Sequence, residues 1–120
     1  MAGQEFPRCF RIRRQADFER VFRLRCAAGD DRLVVFACPN DLPYSRLGLS
    51  VSRRLGKAVA RNRWKRIVRE AFRLSRLHLP AGLDLVVVPK PEAEPCLDGV
   101  KESLTRLSRR LARRLEVKRR

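Results

Sequence analysis

The chain has 120 residues, 44% of them hydrophobic, and its 29 Lys+Arg against 13 Asp+Glu leave a formal net charge of +16. That length gives one compact domain, and the apolar share is enough for a core, which excludes a disordered tail. No apolar run approaches the roughly 20 residues of a membrane span, no secretory signal is expected at the N-terminus, and four cysteines without C-x-x-C spacing beside one histidine argue against a zinc centre.

In chain order, residues 1–10 read as a loose arm. "RQADFERVFRL" (14–24) sets Phe18, Val21 and Phe22 on one face of a short amphipathic helix. A strand is expected around "VFRLRCAA", and another in "DRLVVFAC" (31–38), where Val34, Phe36 and Cys38 face one way and Leu33, Val35 and Ala37 the other. "PNDLPYS" has turn chemistry. "RLGLSVS" (46–52) alternates strictly, with Leu47, Leu49 and Val51 on one side. A helix is expected from Lys57 to Leu77, broken by "PAG" (80–82), and "LDLVVVPK" (83–90) reads as a buried strand. Cys96, Leu97, Val100, Leu104, Leu107, Leu111 and Leu115 step by three and four, giving a final packing helix with a loose basic tail at 116–120. Cys38 and Cys96 read as small packing residues, and all four cysteines as free thiols of a reducing, cytoplasmic setting. The whole is a single domain with helices packed on a sheet.

The helix at 57–77 carries the chemistry. With Arg61 at zero and 100° per residue, Lys65 falls at about 40°, Arg69 at about 80°, Asn62 at about 100°, Arg73 at about 120° and Arg66 at about 140°. Ala60, Trp64, Ile67, Val68, Ala71 and Leu74 fall between about 220° and 340°, so a basic stripe opposes a core stripe. Phe72, at about 20°, lands on the edge of the basic arc, and Arg63, at about 200°, beside the apolar one. Solvated helix faces alternate charge signs at i, i+4. Here Arg61, Lys65, Arg69 and Arg73 form a like-charged ladder relieved only by Glu70. Arg53, Arg54 and Lys57 add cations in the loop before the helix, where free N–H groups also favour phosphate. An arginine-rich face of this kind fits nucleic acid, RNA or DNA alike.

The stretch "RLGLSVSRRLGKAVARNRWKRIVREAFR" resembles the signature of the bacterial ribonuclease P protein family, centred on Arg61, Asn62 and Arg63 and followed by Lys65, Arg66, Arg69 and Glu70. "RQADFERVF" upstream and "LPAGLDLVVVPKP" downstream extend the resemblance over residues 11–111. In one departure, the family usually has a glycine soon after the first helix, where this chain reads "RLRCAAGDD". The resemblance implies a ribosomal-protein-like α+β fold with a four-stranded sheet and a left-handed βαβ crossover. It also implies a protein subunit that binds the catalytic RNA of ribonuclease P and assists removal of the 5′ leader from precursor tRNA. Arg53, Arg54, Lys57, Arg61, Asn62, Arg63, Lys65, Arg66, Arg69 and Arg73 would then contact RNA. Phe18, Phe22 and Phe36 would line a cleft for the leader.

A protein nuclease needs a positioned acid and base or carboxylates that hold metals. Asp17, Asp84 and the other acids are scattered, and His78 is alone. No catalytic residue is therefore expected on the protein, and the Mg²⁺ that assists hydrolysis is expected on the RNA subunit. The expected partners are ribonuclease P RNA and the precursor-tRNA leader, with neither membrane nor DNA. An architectural or ribosomal RNA-binding protein, a DNA-binding protein reading the major groove and a stand-alone nuclease are the alternatives.

Overall fold

The computed structural model of the protein describes residues 7–119. Strands β1 (Ala27–Gly29), β2 (Leu33–Pro39), β3 (Arg46–Leu49) and β4 (Leu83–Pro89) form one sheet in the order β1-β2-β4-β3. β2 is antiparallel to β1 and β4, whereas β3 runs parallel to β4. Helix α2 (Ala58–Ser75) joins that parallel pair, so β3-α2-β4 is a βαβ unit. Helices α1 (Gln15–Leu24) and α3 (Leu97–Arg119) complete an α+β domain.

Alternation along the strands builds two cores of unequal size. Leu33, Val35, Leu47, Leu85 and Val87 share the larger one with Trp64, Val68 and Phe72 of α2 and Val100, Leu104, Leu107 and Leu111 of α3. The smaller core, on the other face, joins Ile12, Val21, Cys38 and Val86 to half-buried Phe18, Phe22 and Phe36. At about 1.5 Å per residue, α1 is only about 15 Å long. It covers part of its face, and Val34, Phe36 and Val88 stay half-buried beside it. The faces expected for β2 are those observed.

Several expectations change. Val21–Leu24 belong to α1, and the first strand is only Ala27–Gly29, because Val21 is fully buried on the helical face. β3 ends at Leu49, since a 3-10 turn at Arg53–Leu55 takes over after Ser52. The expected arm falls outside the described residues for positions 1–6, but Arg8–Phe10 form a 3-10 turn and Phe10 packs against the larger core. Ile12 N–H then donates to Leu47 O at 2.9 Å, so this segment caps the outer edge of β3. The supposed tail is helical to Arg119, and Arg120 lies outside the described residues. Cys96 is exposed ahead of α3, whereas Cys38 is buried and its desolvated thiol is pushed up in pKa.

The departure "RLRCAAGDD" has a structural counterpart. Arg25 ends α1 with φ 57° and ψ 26°, the left-handed conformation, and its N–H donates to Phe22 O at 3.2 Å. Helices favour glycine there, because a Cβ in that conformation costs roughly 1–2 kcal/mol. Part of any gain from glycine is lost to its freer unfolded chain, by roughly 0.4–1 kcal/mol. Arg25→Gly is expected to stabilise the protein by roughly 0.5–1 kcal/mol on that balance, seen as a higher urea midpoint. A lower midpoint would show that the left-handed turn carries no strain.

Candidate nucleic-acid interface

α2 starts at Ala58 without a side-chain cap and without an acid in its first turn. Ser52 Oγ accepts from Arg54 N–H at 3.3 Å, and Gly56, at φ 108°, turns the chain into the helix. Arg53, Arg54 and Lys57 all stay exposed in this connection. Trp64, Val68, Ala71, Phe72 and Ser75 are the buried positions of α2. The core stripe is therefore rotated toward the basic arc relative to expectation. Phe72 is fully buried, whereas Leu74 is 43% exposed. Phe10 of the N-terminal segment lies against Phe72, with ring centroids 6.4 Å apart, while α2 also packs on α3 and β3.

That rotation puts the cations in two environments. Asn62, Arg63 and Arg66 are exposed, whereas Arg61, Lys65, Arg69 and Arg73 are half-buried. Asn62, Lys65, Arg66, Arg69, Glu70 and Arg73 line a concavity of about 410 Å³ together with Arg11, which comes from the segment before α1. Arg53, Arg54, Lys57, Arg61 and Arg63 do not line it. Inside it, five cations face one carboxylate, that of Glu70, which already pairs with Arg73 along the helix. Burial, then the nearby Arg11 charge, lowers the Arg69 pKa. Arg61 Nε is buried without a hydrogen-bond partner among the described residues. Arg11 escaped the sequence reading; the alternation in "RIRR" was its only signal.

On the other sheet face, Phe18 lies so close to β3 that a Cβ on Gly48 would sit 2.8 Å from its Cε1. Phe22 and Phe36 meet edge to face, with ring centroids 4.9 Å apart. All three expected cleft rings are thus gathered under α1, half-buried beside the uncovered Val34 and Val88.

The acids near this face are engaged. Asp84, fully buried in β4, accepts Arg46 Nε at 2.8 Å and Arg46 Nη2 at 2.6 Å, Arg20 Nη2 at 2.7 Å and Asn40 Nδ2 at 3.0 Å. Its hydrogen bonds, ahead of the desolvation that opposes them, raise the Arg46 pKa. Asp17 lies 3.8 Å from Arg20 and 3.6 Å from Arg46. A carboxylate in the middle of "LDLVVV" was the readable signal, because a buried charge must have partners.

Fold and charged face together define a small α+β protein built to lie against a polyanion. The ribonuclease P family matches residues 6–115. A Petrotoga mobilis "Ribonuclease P protein component" is 33% identical over 92% of this chain and 98% of that protein. The one from Desulfovibrio desulfuricans is 42% identical over 91% and 88%. The solved ribonuclease P protein of Thermotoga maritima superposes with a TM-score of 0.71 at 34% identity, covering 81% of this chain and 96% of that one. That of Staphylococcus aureus gives 0.70 at 31%, covering 82% and 91%. The chain belongs to the ribonuclease P protein family, the accessory subunits of a ribonucleoprotein endoribonuclease. The architectural alternative is not favoured.

Removing one partner from a buried ionic network typically costs roughly 3–5 kcal/mol. Asp84→Asn is expected near the low end, about 3 kcal/mol, because Arg20 is 43% exposed and can be rehydrated. The measurement is the loss of chemical stability at neutral pH; an unchanged midpoint would mean that Asp84 does not hold these elements together.

Proposed function

We propose that α2 and its entry loop bind the catalytic RNA of ribonuclease P, while the sheet face under α1 takes the 5′ leader of precursor tRNA. The observation that carries the reading is the concavity where Arg11, Lys65, Arg66, Arg69 and Arg73 share Glu70. Cations held together with so little counter-charge favour a bound phosphate chain, and releasing its counterions drives association. Asn62 adds donor and acceptor groups at the same mouth.

The leader side works differently. Bases stack on aromatic rings for roughly 1–3 kcal/mol each with little regard to sequence. Half-buried Phe18, Phe22 and Phe36 beside half-buried Val34 and Val88 suit a subunit that must accept many leaders. Asp17, Glu70 and Asp84 are paired to guanidiniums, which favours leaving hydrolysis and its Mg²⁺ to the RNA. The protein then contributes charge screening and substrate positioning. A cytoplasmic site of action fits this task, and no helix among the described residues is long and apolar enough to cross a membrane.

Arg61→Ala with Arg66→Ala should weaken binding to the catalytic RNA and flatten the salt dependence by roughly one unit of log–log slope per lost contact. The free protein should be no less stable, since like-charge repulsion falls. Affinity within about twofold of the parent at several salt concentrations would refute the α2 assignment.

Phe18→Leu and Phe36→Leu probe the leader face. Each should reduce the preference of the reconstituted holoenzyme for precursor over mature tRNA by roughly tenfold, within the 1–3 kcal/mol of a lost stack. A variant that melts earlier but keeps the full preference would assign its ring to the core alone.

A further inference from the structure

A concavity of about 710 Å³ lies between the N-terminal segment, the start of α1 and the start of β3, next to the α2 groove. We propose that it is a second phosphate-binding site, which grips a length of RNA backbone continuous with that held on α2. The proposal rests on the RNA-binding reading of α2.

Arg8, Arg11, Arg13 and Arg14 reach it from the N-terminal segment, Arg20 from α1 and Arg46 from β3. Asp17 is the only carboxylate in the lining, and Asp84 lies fully buried at the start of β4. Six guanidiniums therefore face two carboxylates. Both carboxylates are already committed to Arg20 and Arg46. Arg8, Arg13 and Arg14 are exposed and have no ion-pair partner among the described residues. Arg20 Nε is buried without a hydrogen-bond partner among the described residues. Asp84 takes Nε and Nη2 of Arg46 and one nitrogen of Arg20. It fixes these two guanidiniums in place. Such fixed forks suit the oxygens of a phosphodiester.

Continuity names the occupant. Arg11 lines both this concavity and the α2 groove, so one surface of positive charge runs from α2 to α1. The segment that carries Arg11 is pinned to β3 through Ile12 N–H and Leu47 O at 2.9 Å. A phosphate chain lying on α2 thus meets a second set of cations held on a rigid sheet edge. Half-buried Tyr44, whose ring meets Phe10 edge to face at 5.4 Å, forms part of the wall.

The test compares two variants of equal charge loss. Arg8, Arg13 and Arg14 are changed to Ala in one; Arg109, Arg110 and Arg113, exposed on α3, are changed in the other. Circular dichroism first establishes that both fold. The first variant should bind with a log–log salt slope flatter by about two units and an affinity at least about tenfold lower near physiological salt, against less than about threefold for the α3 variant. Two arms separate the sources of phosphate. A loss with the catalytic RNA alone assigns the site to that RNA and supports the proposal. A loss seen only as a higher KM of the preassembled holoenzyme for precursor tRNA assigns the phosphates to the substrate, breaks the continuity with α2 and overturns the proposal. Equal losses from both triple variants, or no loss in either arm, overturn it. If the Arg61 and Arg66 double variant still weakens RNA binding in that case, only the second site falls; if that variant binds normally as well, the α2 reading fails with it.

Discussion

The buried carboxylate of Asp84 is the contact on which this architecture turns. It sits in the central strand β4 and receives donors from β3, from α1 and from Asn40 in the loop after β2. A charge there is tolerable only with its partners in place, because desolvating an unpaired carboxylate costs several kcal/mol. The network therefore fixes the position of α1 over the sheet, and with it the spacing of Phe18 above Gly48. It also fixes Arg46 and Arg20 at the rim of the basic concavity between the N-terminal segment, α1 and β3. A structural ion pair and a surface for anions are thus parts of one arrangement.

Scarcity of acid explains where the rest go. With 13 carboxylates to 29 Lys and Arg, few cations can be neutralised. Asp30 illustrates how acids serve the fold. It accepts from Arg32 N–H at 2.8 Å and Leu33 N–H at 3.0 Å to shape the β1–β2 turn, and reaches Arg106 of α3 at 2.6 Å. Burial opposes its ionisation, but the Ser103 and backbone hydrogen bonds prevail and its pKa is lowered. The exposed arc of α2 receives only Glu70. Asp17, Glu70 and Asp84 are paired to guanidiniums within the fold, which leaves outer cations for a partner that brings its own negative charge.

Much of this was legible in the sequence. The two apolar faces of β2 and the three–four stepping of α3 from Val100 to Leu115 depend on local periodicity alone, and both emerge as read. The motif at Arg61–Arg63 falls on α2, as the helical spacing suggested. What escaped depends on contacts distant along the chain. The α2 core arc was misjudged because helical angles describe one helix, and they do not show that Phe10 of the N-terminal segment lies against Phe72. Arg11, Arg20 and Arg46 looked like scattered charge, since they converge only when the N-terminal segment pairs with β3 and α1 folds over Asp84. The stretch around Arg25 stood out only as a missing family glycine, because a left-handed φ leaves no trace in a residue that rarely adopts it.

Magnitudes explain why a helix can carry such a face. The Arg61–Lys65–Arg69–Arg73 ladder has three i, i+4 pairs, each unfavourable by roughly 0.2–0.5 kcal/mol, or about 1 kcal/mol in all. Burying a side chain such as Val68 or Phe72 is worth roughly 1.5–3 kcal/mol each. One core residue offsets the ladder, so α2 is set by its inner face and its outer face is free to be selected for binding. The larger penalty is the longer-range repulsion of the +16 chain, which burial does not relieve. A polyanion that binds only the folded form removes that repulsion and stabilises the fold by mass action. The same cations thus oppose the free fold and favour the complex, and Asp84 keeps those of β3 and α1 in register until the complex forms.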